Sequence, residues 1–307
     1  KVNVDALDQL EKEGVIIFPQ PRVIRLIQDK GTQKQFFKDN NIPTADFKLI
    51  KGKLADYIKE DDSFHFPFVQ KLRKDGYDGK GVQMIRSDKD IAKSFTEPSL
   101  VERKIDFDKE IAVMVARNSK GECTTFPAVE MEFHPEANLV EFLVSPAGIP
   151  PYLELKAENI ALAIAEALDI VGLLAVEMFV TTDGQILVNE LAPRPHNSGH
   201  QTIEGNRTSQ FDQHLRCIFG MPLGDTATLA HSVMINVLGE EGHEGNAKYE
   251  GLEELLAVEG AYIHLYGKKT TKPFRKMGHI TVVDTDRSKA IEKARSLKAL
   301  IKVKSKK

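Results

Sequence analysis

Apolar and polar residues are arranged most informatively between positions 171 and 200. Two apolar-rich runs, at 173–180 and 185–191, flank the polar triplet Thr182-Asp183-Gly184. An Asp-Gly pair between β-favouring runs is typical of a hairpin with a two-residue turn. Such a turn pairs Thr182 with Gln185 and places Glu177 directly opposite Glu190. The pattern therefore predicts two antiparallel strands that carry two carboxylates on one face, although one inserted residue would separate them.

The remaining apolar periodicity predicts three helices and a helical C-terminus. A short helix is expected at 29–38 with Asp29 as its N-cap, and a core-facing helix at 157–169. A helix at 208–219 is expected to begin at Ser209 and to face the core through three apolar residues: Phe211, Leu215 and Ile218. Residues 290–307 have the pattern of a basic amphipathic helix followed by a solvated lysine-rich tail.

Runs of β-favouring residues predict the strands. They lie at 66–72 and 82–86, at 110–117 and 122–130 around a polar turn, and at 231–238, 260–265 and 279–283. Strands and helices are thus mixed along the chain, which indicates an α+β fold.

Composition narrows the class of protein. The 307 residues are 41% hydrophobic and 28% charged, as in an ordinary globular protein, and the net charge of −3 gives no electrostatic footprint for nucleic acid. No apolar run reaches the roughly 20 residues of a membrane helix. Cys123 and Cys217 form no metal or disulfide motif, which favours a reduced, cytoplasmic protein. Because the chain opens on Lys1 rather than Met, we expect it to be truncated or to be the visible part of a longer chain.

The predicted carboxylate pair has a chemical interpretation. Like charges directly opposite one another destabilise a sheet, so Glu177 and Glu190 require a shared proton or a cation. Mg²⁺ is commonly held by one or two carboxylates together with substrate phosphates. The segment that follows, 192–200, supplies a cation, two imidazoles, an amide and a hydroxyl in a proline-broken loop that suits an anion. The alternative is a surface hairpin with two solvated glutamates.

A second candidate lies in the glycine-rich segment 76–81, between two predicted strands. Three glycines in six residues permit close backbone approach, so that successive N–H groups can hold phosphate oxygens while Lys71 neutralises their charge. No Ser or Thr follows Lys80, and a strand rather than a helix comes next, so this is not a P-loop. A plain hairpin turn is the alternative.

These segments resemble a known family. The sequences E-x-F-V and V-N-E-L-A-P, with D-K-x-x-x-K near residue 30 and G-Y-D-G-K-G at 76–81, are similar to ATP-grasp enzymes. R-P-H-N-S-G-H at 194–200 and Y-G-K with R-K-M-G-H at 266–279 resemble the N5-carboxyaminoimidazole ribonucleotide synthetases of purine biosynthesis. The resemblance implies an ATP-grasp fold with a remnant of a Rossmann-like N-terminal domain at 1–44. Small and large subdomains at 45–105 and 106–225 would precede a β-rich unit at 226–307.

The resemblance also implies roles for individual residues. Mg²⁺ would be bound by Glu177 and Glu190. Bicarbonate and its phosphorylated form would be held by Arg194, His196, Asn197 and Ser198. ATP would be contacted by Lys30, Lys71, Gly76, Tyr77, Asp78, Gly79, Lys80, Gly81, Val82, Glu102, Arg103, Lys104, Ile105, Glu110, His134, Asn189 and Glu190. The second substrate would be bound by Tyr77, Lys268, Arg275 and Lys276.

The implied reaction is the ATP- and bicarbonate-dependent carboxylation of 5-aminoimidazole ribonucleotide by a ligase that works as a homodimer. Two alternatives remain at this stage. Another ATP-grasp ligase, such as the formate-using glycinamide ribonucleotide transformylase, would share the ATP cleft. A truncated nucleotide-binding module would bind ATP without turnover. The surface cations of the last unit also have a plain interpretation, as solvated groups at a sheet edge.

Overall fold

The computed structural model describes residues 2–60, 65–74, 76, 81–134 and 139–306. Its helices are α1 (Val4–Lys12), α2 (Pro21–Gln28), α3 (Lys30–Asp39), α4 (Leu54–Glu60), α5 (Asp88–Ile91), α6 (Pro151–Leu168), α7 (Thr202–Gly205), α8 (Gln210–Ile218), α9 (Leu252–Leu256) and α10 (Arg287–Leu300).

The strands alternate irregularly with these helices, as the α+β pattern predicts. They are β1 (Phe47–Ile50), β2 (Phe68–Leu72), β3 (Val82–Ile85), β4 (Ser99–Arg103), β5 (Phe107–Arg117), β6 (Cys123–Thr125), β7 (Val129–Phe133), β8 (Val140–Ser145), β9 (Gly172–Thr181), β10 (Ile186–Ala192), β11 (His231–Leu238), β12 (Gly245–Glu250), β13 (Ala261–Leu265), β14 (Thr270–Thr271), β15 (Lys276–Asp284) and β16 (Lys302–Ser305).

Two antiparallel sheets form the walls of a cleft. The smaller has the order β1-β4-β2-β3, and the larger has the order β10-β9-β5-β7-β8-β11-β15-β13 with β6 paired to β5. Strands of the last third of the chain, β11, β13 and β15, extend the larger sheet rather than form a sheet of their own. Loops that follow β10 and precede β15 are thereby attached to one continuous framework.

The principal core lies on one face of the larger sheet, beneath α6. Ile164 and Leu168 of this helix and Val176 and Met178 of β9 are all buried within one cluster. The helix begins at Pro151, six residues before the predicted start, because proline is favoured in the first helical turn, where its missing N–H costs no hydrogen bond. On the opposite face of β9, Leu173 and Ala175 pack in a second core cluster with Cys217 of α8, and Glu177 lies further along the same face.

The prediction that α8 faces the core through its apolar residues is wrong. Phe211 and Leu215 are 42% and 51% exposed, whereas Gln210 and Gln213 are fully buried. The glutamine face is buried because its amides are satisfied: Gln213 accepts from the Gly224 N–H at 2.8 Å and donates to the Gly224 carbonyl at 3.1 Å. The Ser209 cap is confirmed, since its hydroxyl accepts from the Asp212 N–H at 3.2 Å.

The solvated tail predicted at the C-terminus is also wrong. After α10 the chain forms β16, which pairs antiparallel with β12 from Ala247 opposite Ser305 to Glu250 opposite Lys302. Val303 is fully buried in the core cluster of this unit, while its lysine neighbours point outward. A single apolar residue between two lysines was enough to form a strand here, because β12 supplies the pairing and the core accepts Val303.

Within the part of the chain that the structure describes, no helix combines the length and the apolar character needed to cross a membrane.

Candidate active site

The strand pair β9 and β10 brings the two predicted acids together. Glu177 and Glu190 are Cα partners in the antiparallel register, as predicted, but the connecting turn is not the predicted one. Thr181 N–H donates to the Gln185 carbonyl at 2.9 Å, so the loop has three residues, and Gly184 closes it at φ +75°. The pairing of Thr182 with Gln185 was therefore wrong.

A β-bulge restores the pairing of the acids. Val188 lies opposite Met178 and Glu190 opposite Glu177, which leaves Asn189 as an extra residue in β10. Val188 and Leu191 both lie in the principal core, so the two residues between them, Asn189 and Glu190, both leave that face. One short strand thus supplies the cleft with an amide and a carboxylate in succession.

The residues of this strand meet lysines from two other segments. Lys30, the first residue of α3, forms an ion pair with Glu190, and the Lys71 ammonium donates to the Asn189 amide oxygen at 2.9 Å. Both lysines line one small cavity together with Asn189, Glu102, Gln33, Lys34 and Leu100. The cavity thus gathers three lysines around Glu102 and Asn189, and Lys30 links it to Glu190.

Lys34 belongs to this site and was not assigned by the sequence. Its ammonium lies 2.7 Å from one oxygen of Glu102, and the Lys71 ammonium lies 2.6 Å from the other. Burial opposes the charge of Glu102, but the two ammonium groups outweigh it and lower the pKa of Glu102 to about 2. Burial lowers the pKa of Lys34 to about 8, with Glu102 opposing the change. The D-K-x-x-x-K spacing was the available signal, since it places Lys34 one turn after Lys30.

Glu110 on β5 lies on the cleft side of the larger sheet. Its neighbour on the strand, Ile111, is in the principal core, so Glu110 points the other way. Burial raises the pKa of Glu110 to about 7, and the charge of Lys71 partly opposes this. Glu110 is therefore a half-buried carboxyl near the charge of Lys71, and its contact with the ribose stays a prediction.

Some of the other predicted ATP contacts fall outside the described residues. Tyr77, Asp78, Gly79 and Lys80 are outside the described residues. Gly76 and Gly81 bound that segment, and a Cβ on Gly81 would meet the Gly76 Cα at 3.0 Å, so the loop closes through glycine at φ +78°. Val82 opens β3 opposite Lys71, whereas Arg103, Lys104 and Ile105 lead from β4 into β5.

The loop after β10 is organised around His196. Its Nδ1 accepts from the Ser198 N–H at 3.3 Å and lies 2.8 Å from the Ser198 hydroxyl, so Nε2 carries the proton. That Nε2 lies 3.6 Å from a carboxylate oxygen of Glu177. Burial, with the charges of Arg194, Lys276 and His200, lowers the pKa of His196 to about 3, so the ring is a neutral donor at pH 7.

The side chains of Asn197 and Ser198 form hydrogen bonds within the protein. Asn197 exchanges two 2.9 Å hydrogen bonds with Asn236 of β11, and Asn236 also donates to the Val140 carbonyl at 2.8 Å. Ser198 is buried against His196 and Met114. Both residues therefore fix the loop, while Arg194 is exposed and His196 faces Glu177.

The predicted substrate-binding cations of the C-terminal unit differ in what they contact. They are Lys268, Arg275 and Lys276. Lys276 acts on the pKa values of Glu177, His196 and His200, so its charge is close to the acids and the loop. Lys268 lies 5.4 Å from the Tyr266 ring centroid and donates to the Lys276 carbonyl. Arg275 donates to the Thr270 carbonyl and hydroxyl at 2.9 Å each.

His134 lies apart from these groups. Its ring packs edge-on against Phe274 with 5.7 Å between centroids. The backbone N–H of His134 donates to the Leu139 carbonyl at 2.8 Å. It stays a predicted nucleotide contact.

Comparison with known proteins decides the family. The ATP-grasp domain matches residues 35–211, and the C-terminal domain of phosphoribosylaminoimidazole carboxylase matches 232–293. The N5-carboxyaminoimidazole ribonucleotide synthase of Synechococcus elongatus is 40% identical over 286 residues, which are 92% of this chain and 71% of that protein. The chain belongs to the N5-carboxyaminoimidazole ribonucleotide synthetase family of ATP-grasp ligases.

Solved structures agree with this assignment. The N5-carboxyaminoimidazole ribonucleotide synthetase of Thermotoga maritima has a TM-score of 0.89 at 46% identity, covering 99% of this chain and 80% of that one. The Aspergillus clavatus synthase in complex with ADP and 5-aminoimidazole ribonucleotide has a TM-score of 0.87 at 30% identity, covering 97% and 79%. Among longer relatives, the chain spans 52% of the Vigna aconitifolia phosphoribosylaminoimidazole carboxylase at 36% identity. The ATP-grasp fold predicted from the sequence is confirmed.

Proposed function

We propose that this chain catalyses the carboxylation of 5-aminoimidazole ribonucleotide with bicarbonate and ATP. The observation that carries the proposal is the meeting of the Glu177 and Glu190 pair with the loop of Arg194 and His196 and with Lys276. This arrangement supports a site in which the two acids would bind the metal and the loop donors would bind an anion. The family assignment supports the same reaction over that of a formate-using ligase.

The residues present fit a magnesium ion. Burial and the neighbouring charge of Glu190 raise the pKa of Glu177, as expected for two acids that face each other. Within the described residues, no cluster of three or more His, Cys, Asp or Glu side chains forms a closed metal site. Two carboxylates suit an ion that takes its other ligands from ATP and water. When bound by Glu177 and Glu190, Mg²⁺ would neutralise charge on the phosphate oxygens.

Bicarbonate is a poor electrophile until one of its oxygens is phosphorylated. Transfer of the γ-phosphoryl group from ATP gives ADP and carboxyphosphate, and this step needs positioning and charge neutralisation. Lys30 and Lys71 would orient the phosphates, while Glu102 holds Lys71 and Lys34 in place. Arg194 and the Nε2–H of His196 would bind the bicarbonate oxygens.

The second half of the reaction transfers the carboxyl group. The N5 amine of the ribonucleotide forms a C–N bond to the carboxyl carbon, the C–O bond to phosphate breaks, and the amine releases one proton. Lys268, Arg275 and Lys276 would bind the ribonucleotide phosphate and the carboxylating intermediate. The products are N5-carboxyaminoimidazole ribonucleotide, ADP and phosphate.

The test is ADP release with ATP, Mg²⁺ and bicarbonate, measured with and without 5-aminoimidazole ribonucleotide. Release that depends on the amine and yields one carboxylated product per ADP supports the proposal. Nucleotide binding without turnover, in this chain and in the full-length protein that contains it, would indicate a binding module instead. Turnover with formate in place of bicarbonate would indicate the other ligase class.

We also propose that the protein is a homodimer in the reducing cytoplasm. Cys123 and Cys217 are free thiols, which is compatible with that compartment. Phe211, Leu215 and Phe219 are exposed at every fourth position along α8. Antiparallel contact of two copies about Leu215, the midpoint, would bury this stripe symmetrically.

Sedimentation of the wild type and of Leu215→Lys tests the assembly. We expect the wild type to sediment as a dimer and the variant as a folded monomer. Tyr152→Lys is the control, because Tyr152 on α6 is also exposed, at 66% against 51% for Leu215. A monomeric wild type contradicts the homodimer, and a dimeric Leu215→Lys variant contradicts this face.

A further inference from the structure

Three histidine rings stack where the last strands of the larger sheet meet the loop after β10. The ring centroids of His200 and His279 are 4.7 Å apart with an interplanar angle of 18°, and those of His264 and His279 are 4.5 Å apart at 16°. His264 and His279 are Cα partners in β13 and β15, whereas His200 lies in the loop that carries His196. The stack thus joins two segments separated by more than 60 positions in the chain.

Both ends of the stack are fixed by polar side chains. Glu204 of α7 lies 2.7 Å from Nε2 of His264. At the other end, the Gln210 amide nitrogen lies 2.9 Å from Nδ1 of His200. The same Gln210 side chain accepts from the His196 N–H at 2.8 Å and donates to the His196 carbonyl at 2.9 Å. The position of His200 is consequently tied to that of His196.

The middle of the stack is tied to Lys268. The Tyr266 hydroxyl lies 3.0 Å from Nδ1 of His279, and the Lys268 ammonium lies 5.4 Å from the Tyr266 ring centroid, within range of a cation–π interaction. Burial raises the pKa of Tyr266 to about 12 and lowers the pKa of His279 to about 3, so two neutral groups share this hydrogen bond at pH 7. A continuous set of contacts therefore runs from Lys268 through Tyr266, His279 and His200 to Gln210.

We infer that Tyr266, His279 and His200 are positioning residues that hold Lys268 in register with the loop of His196. The inference rests on the proposed function, in which Lys268 binds the ribonucleotide and His196 binds bicarbonate. The amine must approach the activated carboxyl carbon within about 3–3.5 Å, and a displacement near 1 Å costs about a hundredfold in rate. Contacts that set the distance between the two half-sites thus control carboxyl transfer without touching either substrate.

The test compares Tyr266→Phe and His279→Leu with the wild type in the full chain. Tyr266→Phe removes only the hydroxyl, and Tyr249→Phe on β12 makes the same change outside the stack. We expect the KM for 5-aminoimidazole ribonucleotide to rise about tenfold in Tyr266→Phe, because a partly buried hydrogen bond is lost, with the KM for ATP unchanged. Carboxylated product per ADP should fall in both stack variants, and His279→Asn, which returns a polar atom near the position of Nδ1, should recover part of the loss.

A purely structural role predicts a different result. It would lower the thermal midpoint or the active fraction and leave the KM values of both substrates and the product yield per ADP unchanged. If the wild type is active and Tyr266→Phe behaves like Tyr249→Phe, the inference is wrong while the proposed function stands. If the wild type releases no ADP in response to the amine, both fail. Because Tyr266→Phe is nearly isosteric, it decides the question even if His279→Leu does not fold.

Discussion

Glu177 and Glu190 face each other across β9 and β10 because two irregularities in β10 offset one another. A three-residue turn shifts the register by one position, and the bulge at Asn189 shifts it back. The bulge also adds an amide that binds Lys71. The extra residue thus connects Lys71 to the strand that carries Glu190.

Replacement of either acid by its amide tests the metal site. We expect Glu190→Gln and Glu177→Gln to lower Mg²⁺-dependent turnover at least about a hundredfold, because charge stabilisation by a bound metal is worth several kcal/mol. The fold should remain intact, since removal of one of two facing acids relieves repulsion. Glu241→Gln in an exposed turn is the control. Turnover within a few-fold of wild type in Glu190→Gln would sink the metal assignment.

Deletion of Asn189 should remove the hydrogen bond to Lys71 while it keeps Glu177 paired with Glu190. Without Asn189, Glu190 follows Val188 directly and still lies opposite Glu177, while Val188 and Leu191 keep their places in the core. We expect a folded enzyme whose KM for ATP rises about tenfold, because the charged ammonium of Lys71 loses its hydrogen bond to the Asn189 amide. Thermal unfolding and steady-state kinetics measure the two effects. Global unfolding of the deletion variant would show that the bulge is required for the fold.

The buried carboxylate between Lys34 and Lys71 should be important for stability. Glu102→Gln leaves two buried ammonium groups without their counter-charge, and loss of one partner of a buried ion pair costs about 3–5 kcal/mol. Glu250→Gln is the matched control, because Glu250 also lies between two lysines, Lys248 and Lys304, but on an exposed strand. Urea unfolding at pH 7 should show a large loss for Glu102→Gln and little change for Glu250→Gln. Equal midpoints for the two variants would contradict the assignment.

Protonation of Glu102 should also lower the stability of the protein in acid. The pKa of Glu102 in the folded protein is about 2, below its ordinary value of 4.5, so its contribution is present above pH 4.5 and is lost as the pH falls toward 2. The free energy of unfolding, measured by urea titration between pH 5 and pH 2.5, should fall more steeply in the wild type than in Glu102→Gln. Parallel curves for the two proteins would remove Glu102 from the acid transition.

The buried neutral histidines should affect stability at a higher pH than Glu102 does. Burial lowers the pKa of His196 to about 3, of His200 to about 4 and of His279 to about 3. Below pH 6.5 the unfolded chain binds protons that these rings do not accept in the folded state, so stability decreases as the pH falls from 6.5 toward 4. Proton NMR of the ring C–H groups should show no titration of these three between pH 8 and 5. A midpoint near 6.5 for any of them would contradict the structure.

The sequence determined the local parts of this protein. Spacing and alternation placed β9, β10 and the 192–200 loop next to one another, because a turn and a period of two act between neighbouring residues. The family resemblance gave the ATP-grasp fold, which the comparisons confirm. The facing of Glu177 and Glu190 was predicted correctly through a wrong turn, since a bulge leaves no reliable mark in the residue pattern.

The tertiary structure decided which distant segments meet. Lys34 and Glu102, 68 positions apart, pair because α3 packs against the smaller sheet, and His200 stacks on His279 because β15 lies beside the loop. The orientation of α8 was decided in the same way, because the side chains of Gln210 and Gln213 accept hydrogen bonds from loop backbone N–H groups. Periodicity assigns apolar residues to the core, but a buried backbone that needs partners can draw a polar face inward instead.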